Sequence, residues 1–211
     1  DWWIDTRART GEVWAADLDV SGPFALETVL TGRPLQAVSF RFEGRPELAV
    51  EIRRGLINND VAVRTADGVW HVGGSVLRED ISDEIELSTR PESHVTDVKL
   101  VDTGAWSDVA SNQRLGLELA GAIGSFTTRF EYMRNDWKRD DGSRNHFRGA
   151  YLEGGYFFGG VPFRYHNGQF MRPDLAGYGV AYEMAWRYSW IDLNDGAIRG
   201  GEERNLGLAF N

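Results

Sequence analysis

Three arginines occupy positions at which a guanidinium group could contact a passing anion. Arg41, Arg129 and Arg187 each lie in an alternating run, among small or charged neighbours and opposite aromatic or aliphatic side chains. Successive side chains of a strand point to opposite faces, so each arginine lies on the polar face of its strand. A guanidinium stays charged and presents a planar fork of donors to phosphate or carboxylate. The pattern predicts either a set of anion contacts or ion pairs that hold the wall together, with Glu43, Glu131 and Glu183 as the nearest carboxylates.

A second basic group lies at or within the long polar connection over residues 91–112. It consists of Arg90, His94 and Lys99. Connections of this length usually carry a function. These side chains are therefore candidates for anion contact, and the alternative is a solvated surface loop.

Catalytic and metal-binding patterns find little support. The four histidines have no metal-ligand spacing, and the chain contains neither a Gly-x-Ser-x-Gly elbow nor a phosphate-binding P-loop. The acidic stretch 192–203 places Gly196 fifth, whereas a calcium-binding EF-hand loop needs glycine at the sixth position. We interpret that stretch as a polar hairpin loop. We expect no enzymatic activity, no metal and no cofactor.

The elements that must position these arginines are strands. In residues 178–211, Met184, Trp186, Tyr188 and Trp190 alternate with small or charged residues, and a second alternating run follows. Similar pairs of runs occur at 12–31 and 114–134, and Asp67-Gly68 is a typical hairpin turn. Helical periodicity is weak. The sequence predicts an all-β chain of about 10–12 antiparallel strands, joined by short connections as in an up-and-down barrel.

Alternation by itself fits either a water-soluble β-sandwich or barrel that binds a ligand, or a membrane barrel. A barrel strand crosses a membrane with about 10 alternating residues. The abundance of aromatic residues and of hairpins favours the membrane barrel. The formal net charge of −9 argues against a nucleic-acid partner.

Three stretches together resemble the phosphate-selective porin O and P family of Gram-negative outer membranes. They are TRPESHVTDVKLVDTG (89–104), NQRLGLELAGAIGSFTTRFEYM (112–133) and EMAWRYSWIDLNDGAIRGGEERNLGLAFN (183–211), and they occur in the family's order. The resemblance covers residues 84–211. Over residues 1–80 the interpretation rests on alternation.

The resemblance implies a transmembrane barrel of 16 strands that forms homotrimers in the outer membrane, in contact with lipid and lipopolysaccharide. It implies passage of small anions such as phosphate. In such a barrel the strand parity of Arg41, Arg129 and Arg187 predicts that they line the lumen, and Arg90 and Lys99 are candidates for a constriction formed by the long connection. The net charge of −9 keeps a general diffusion porin as the nearest alternative. Family members are longer, so we expect residues 1–211 to form a single, incomplete barrel domain.

The family topology also predicts which end of the barrel each connection occupies. It places the tight turns at 21–24 and 124–126 on the periplasmic rim. The loops at 91–112, 135–146 and 192–203 are then expected outside the cell or inside the channel.

Overall fold

The fold is all-β and antiparallel, as the sequence predicts. The computed structural model describes residues 24–30, 36–42, 45–54, 58–92, 96–166, 169–171, 173–178 and 180–211. Ten strands form the main sheet: β1 (Phe24–Leu30), β2 (Gln36–Phe42), β3 (Arg45–Arg54), β4 (Asn58–Arg64), β5 (Gly68–Asp80), β8 (Val109–Ile123), β9 (Phe126–Arg139), β10 (Arg144–Phe158), β13 (Tyr182–Asp195) and β14 (Ile198–Phe210). Two small hairpins complete the set: β6 (Ile85–Thr89) with β7 (Val101–Trp106), and β11 (Arg164–His166) with β12 (Gln169–Met171).

The main sheet is a meander in which strands follow chain order from β1 to β14, leaving out the two small hairpins. Every neighbouring pair is antiparallel, and β1 and β14 are the two ends of the sheet in the described part of the chain. The first half of the predicted 12–31 hairpin lies outside the described residues. No helix among the residues that the structure describes is long and apolar enough to cross a membrane.

The two ends of the sheet differ in their connections. The lower end carries the turns at 65–67 and 124–125 and the long connection 159–181. The upper end carries the connection 81–108 and the turns at 140–143 and 196–197. The Asp67-Gly68 hairpin is confirmed, with the Thr65 amide donating to the Gly68 carbonyl over 2.8 Å. The loops predicted at 135–146 and 192–203 are mostly strand, because the cross-strand pairing continues up to each turn.

One face of the main sheet, the apolar face, is large, apolar and uncovered among the described residues. It includes the predicted side of β13 and β14, where Leu206 and Leu208 are 71% and 78% exposed. Other exposed members, spread from β5 to β14, are Trp70, Val72, Leu117, Leu119, Leu152, Met184, Tyr188 and Phe210. Gly154 leaves room for the indole ring of Trp186 on this face, since a Cβ there would lie 2.7 Å from its ring nitrogen.

At the upper end of the apolar face, paired charged side chains replace the aliphatic ones. His146 Nδ1 lies 2.6 Å from Asp136, and Arg204 Nη2 lies 2.6 Å from Glu202. Trp190 donates its indole N–H to Glu202 over 2.7 Å. The aliphatic band is thus bordered by a belt in which an amphipathic aromatic side chain meets charged groups.

The opposite face, the polar face, is partly covered by two segments of the chain. The described residues of 81–108, called the upper segment, pack against β9, β10 and β13 through a cluster that contains Val101, Trp106, Trp137, Phe147 and Leu193. The described residues of 159–178, called the lower segment, pack against β4, β5 and β8 through a second cluster that contains Ala62, Val69, Ala122 and Tyr165, with Phe163 and Phe170 against it. Both hydrophobic clusters therefore lie on the polar face.

A glycine pair in β14 makes room for the upper segment. A Cβ on Gly200 would approach Leu193 to 2.8 Å and Thr103 to 2.9 Å. Gly201 has a φ of +93°, a left-handed conformation that glycine adopts without strain. β7 consequently lies close to β14.

Candidate functional site

Arg129 and Arg187 meet at a single carboxylate on the polar face. In the sheet register, Glu153 of β10 lies directly opposite Arg129 of β9 and Arg187 of β13. Arg187 Nη1 lies 2.6 Å from Glu153 Oε2, and Arg129 forms an ion pair with Oε1 of the same carboxylate. Side chains of opposite charge that lie directly opposite each other on neighbouring strands stabilise a sheet. The register therefore builds an Arg–Glu–Arg group across three adjacent strands.

Aromatic rings support both guanidinium groups. Arg187 Cζ lies 3.8 Å from the ring centre of Tyr151, and Arg129 Cζ lies 6.0 Å from that of Phe170. A cation over an aromatic ring is attracted by the electrons of the ring face, and stacking limits the rotamers of the long side chain. The two arginines are thereby held in fixed positions on the wall.

Both arginines also remain accessible. The side chains of Arg129 and Arg187 are 46% and 36% exposed, whereas that of Glu153 is 20% exposed. They border a cavity of about 700 Å³ whose other walls include Thr127, Phe163, Phe170 and Glu183. The carboxylate is the more enclosed partner, so the positive groups face the open space.

The upper segment reaches this group through one acidic side chain. Glu92 Oε1 lies 3.1 Å from Arg187 Nε, so Arg187 contacts carboxylates from two parts of the chain. With Glu153 and Glu92 both ionised, the charges of the two arginines are formally balanced. An anion that approaches Arg187 must therefore compete with Glu92, which is 42% exposed.

Arg90 and Lys99 are held by carboxylates of their own segment. Arg90 Nη1 lies 2.7 Å from Asp97, and Lys99 Nζ lies 2.5 Å from Glu86. The hydrogen bond to Glu86 raises the pKa of Lys99, so this amine stays charged. Both side chains are about half exposed, which is the setting in which ion pairs contribute little to stability. Arg90 and Lys99 belong to the segment that lies over the polar face.

For the two remaining predicted residues, Arg41 and His94, the structure describes no side chain. The backbone of Arg41 lies in β2, paired with Ala25 and Ala49, and its side chain lies outside the described residues. His94 lies outside them as well. The structure thus brings together Arg129 and Arg187, and places Arg90 and Lys99 in a neighbouring segment.

Three contributors to this site were not identified from the sequence. They are Glu153, Glu92 and Tyr151. The carboxylates proposed as partners were Glu43, Glu131 and Glu183, which flank the arginines in the sequence. The usable signal for Glu153 was the alternation of β10, where Tyr151, Glu153 and Gly155 form the polar side. The strand register needed to choose Glu153 is not visible in that pattern.

The fold and the site together define a β-sheet wall with an uncovered apolar face and an opposite face that presents paired charges. Comparison with known proteins agrees with this class. A family model described as phosphate-selective porin O and P matches residues 59–211, so the chain belongs to that family of porins.

The chain is also 31% identical, over 193 residues, to an uncharacterized protein of Caulobacter vibrioides. The matched region is 86% of this chain and 39% of that protein, so the chain spans about two fifths of the length of this relative. No solved structure matches the chain.

Proposed function

We propose that this chain forms part of the wall of an outer-membrane porin that passes small anions, phosphate among them, by diffusion through a water-filled lumen. The polar face lines the lumen and the apolar face contacts lipid. Arg129 and Arg187 contribute to selectivity by replacing part of the hydration shell of an anion. Selectivity in such a pore follows from side-chain charge, and the transport involves no catalytic turnover.

The observation that carries the proposal is the side of the sheet on which the chain packs its own segments. A soluble β-sandwich covers its apolar face with a second sheet. Here the upper and lower segments both cover the polar face, and side chains such as Leu206, Leu208 and Phe210 stay exposed on the other. A membrane barrel has this arrangement, with apolar residues outward and polar residues around the lumen.

The charged belt supports the outer-membrane assignment. Trp190, Glu202 and Arg204 border the aliphatic band at the upper end of the apolar face. Aromatic and charged side chains are enriched where hydrocarbon meets lipid head groups. Contact with lipopolysaccharide at this belt and assembly into homotrimers are the partner interactions that we propose for the whole protein.

The test is the reversal potential of the full-length protein in a planar bilayer under a salt gradient, with and without phosphate. Arg187→Ala is expected to lower the preference for anions, because it removes an exposed cation from the lumen wall. Arg148→Ala is the matched control, because this substitution also removes one positive charge, but from the apolar side of β10. An unchanged reversal potential in Arg187→Ala would contradict the role of this residue, and absence of conductance would contradict the porin itself.

A general diffusion porin is the second candidate, and the ion pairs favour it. Arg129, Arg187, Arg90 and Lys99 each contact a carboxylate, and the chain carries a net charge of −9. Glu153→Gln separates the two candidates because it removes the shared carboxylate and leaves both arginines. A selective anion pore should gain anion preference in this variant, whereas a wide, weakly selective pore should show little change.

A further inference from the structure

A second group of polar side chains lies on the polar face, away from Arg129 and Arg187. Asp60 of β4, His71 of β5 and Glu118 of β8 each offer one ligand atom, and these atoms lie within 4.8 Å of one another. The His71 side chain is 3% exposed and that of Glu118 is 31% exposed. The group therefore combines one buried imidazole with two partly exposed carboxylates.

The imidazole ring is oriented as a metal ligand requires. His71 Nδ1 lies 2.5 Å from the hydroxyl oxygen of Tyr165, and Nε2 lies 3.2 Å from Glu118 Oε1. A metal-binding histidine uses one ring nitrogen for the metal, and the N–H of the other is donated to a neighbouring acceptor. A cation that replaces the Nε2 proton leaves Nδ1–H to donate to Tyr165.

The surrounding wall makes room for the carboxylate and concentrates negative charge there. Glu118 lies over Gly73, where a Cβ would overlap its carboxylate. Its cross-strand neighbour on β9 is Glu131. Like charges directly opposite each other destabilise a sheet, and a bound cation relieves that repulsion.

Tyr165 connects this group to the lower segment. Its backbone carbonyl accepts a hydrogen bond from Arg64 over 2.8 Å, and Arg64 Cζ lies 5.1 Å from its ring centre. Its hydroxyl contacts His71, so one residue of β11 touches the wall through both its backbone and its side chain. The contact between Tyr165 and His71 therefore links the wall to the lower segment.

We propose that Asp60, His71 and Glu118 bind one divalent transition-metal cation of the Zn²⁺ class. Imidazole nitrogen and carboxylate oxygen together suit zinc, and three protein ligands leave a position for water from the lumen. Tyr165 is a positioning residue, which holds the His71 ring and couples the metal to the lower segment. The site is independent of which solutes pass through the barrel.

The first test is calorimetric titration of Zn²⁺ into the full-length porin, purified in detergent after removal of metal by a chelator. We expect one Zn²⁺ per chain, with affinity reduced at least tenfold in both His71→Ala and the near-isosteric Glu118→Gln. His146→Ala is the matched control, because His146 also lies against a carboxylate, Asp136, and is outside the proposed site. Heat-modifiable migration on a gel identifies the variants that are folded. If His71→Ala does not fold, the titration of Glu118→Gln decides whether the site binds Zn²⁺.

Tyr165→Phe tests the positioning role in the same titration. Loss of an outer hydrogen bond to a metal ligand typically costs about 10- to 100-fold in metal affinity, so we expect a loss of about tenfold. The visible absorption of bound Co²⁺ gives a second readout, since a changed ring orientation shifts the spectrum. Absence of stoichiometric Zn²⁺ binding by the wild-type protein, or equal losses in His71→Ala and His146→Ala, overturns the site. Unchanged affinity and spectrum in Tyr165→Phe overturns the coupling to the lower segment.

Discussion

The apolar and polar faces of this sheet are made by the same strands, yet they are stabilised in different ways. On the apolar face, the side chains of Trp70, Leu208 and Phe210 remain largely exposed. On the polar face, Trp137 and Phe147 are nearly fully buried beneath the upper segment. Among the residues that the structure describes, the segments outside the main sheet therefore cover the face that alternation marks as polar. The apolar face depends on its surroundings for its stability.

The largest effect should come from the anchor of the upper segment. Trp106 is 9% exposed, and its ring centre lies 5.5 Å from that of Trp137. Trp106→Ala should cost about 3–5 kcal/mol of local stability, the range for truncating a buried large aromatic side chain. The measurement is the free energy of unfolding in urea together with protease cleavage within 81–108. Val98→Ala, at a side chain that is 60% exposed, is the control and should change neither.

The second effect tests the apolar face directly. Leu208 lies in the middle of the aliphatic run of β14, between Leu206 and Phe210. If this face contacts lipid, Leu208→Arg should cost about 2–4 kcal/mol, as a charge near the membrane midplane does. Ala209→Arg places the same charge on the polar face of the same strand and should cost far less. Equal, small costs for both variants in lipid vesicles would show that Leu208 faces water.

A third effect concerns close packing between strands. Gly154→Val should cost about 1–3 kcal/mol, because the new side chain overlaps the Trp186 indole and forces it to move. Gly74→Val, on the same face, meets its nearest atom at 3.6 Å and is the control. Comparable urea midpoints for the two variants would count against the Trp186 position.

The smallest effect is a pH dependence at the upper end of the polar face. Arg139 donates to Asp108 over 2.9 Å, and this interaction lowers the pKa of the Asp108 carboxyl below its ordinary value of 3.8. A lowered pKa means that the contribution to stability is complete above pH 3.8 and is lost as the pH falls through the folded-state value. The protection factors of the amides at 106–109, which are corrected for the slower intrinsic exchange at low pH, should therefore fall at the acidic end of a titration. Asp108→Asn should show the faster exchange already at neutral pH. A wild-type rate in this variant would contradict a stabilising role for the Asp108–Arg139 ion pair.

Much of the sheet was predictable because a strand repeats every two residues. The faces of β13 and β14, the Asp67-Gly68 turn and the antiparallel order follow from alternation and turn chemistry. The pairing of Arg129 and Arg187 through Glu153 did not follow, because it depends on register across two separate strand pairs. The sequence separates Arg187 from Glu153 by the whole connection 159–181.

The positions of the upper and lower segments could not be predicted from the sequence. Tyr165 and His71 are 94 residues apart, and the lower segment has no alternation to show which face it covers. Trp106 likewise lies in a stretch that we interpreted as a polar connection. Segments without regular secondary structure pack according to the three-dimensional shape of the sheet. A local sequence pattern carries no information about that shape.

The meander order has a consequence for how the sheet assembles. Pairs such as β8 with β9 are joined by a short turn, so their contacts are local and form early in folding. β5 and β8, by contrast, must close a loop over residues 81–108, and β10 and β13 over 159–181. Lengthening a flexible loop from a few residues to a few tens adds only about 2 kcal/mol of closure entropy, because that cost grows with the logarithm of length. The register of the sheet can therefore be established before either segment docks, and insertions or deletions in both segments should leave the order of strand assembly unchanged.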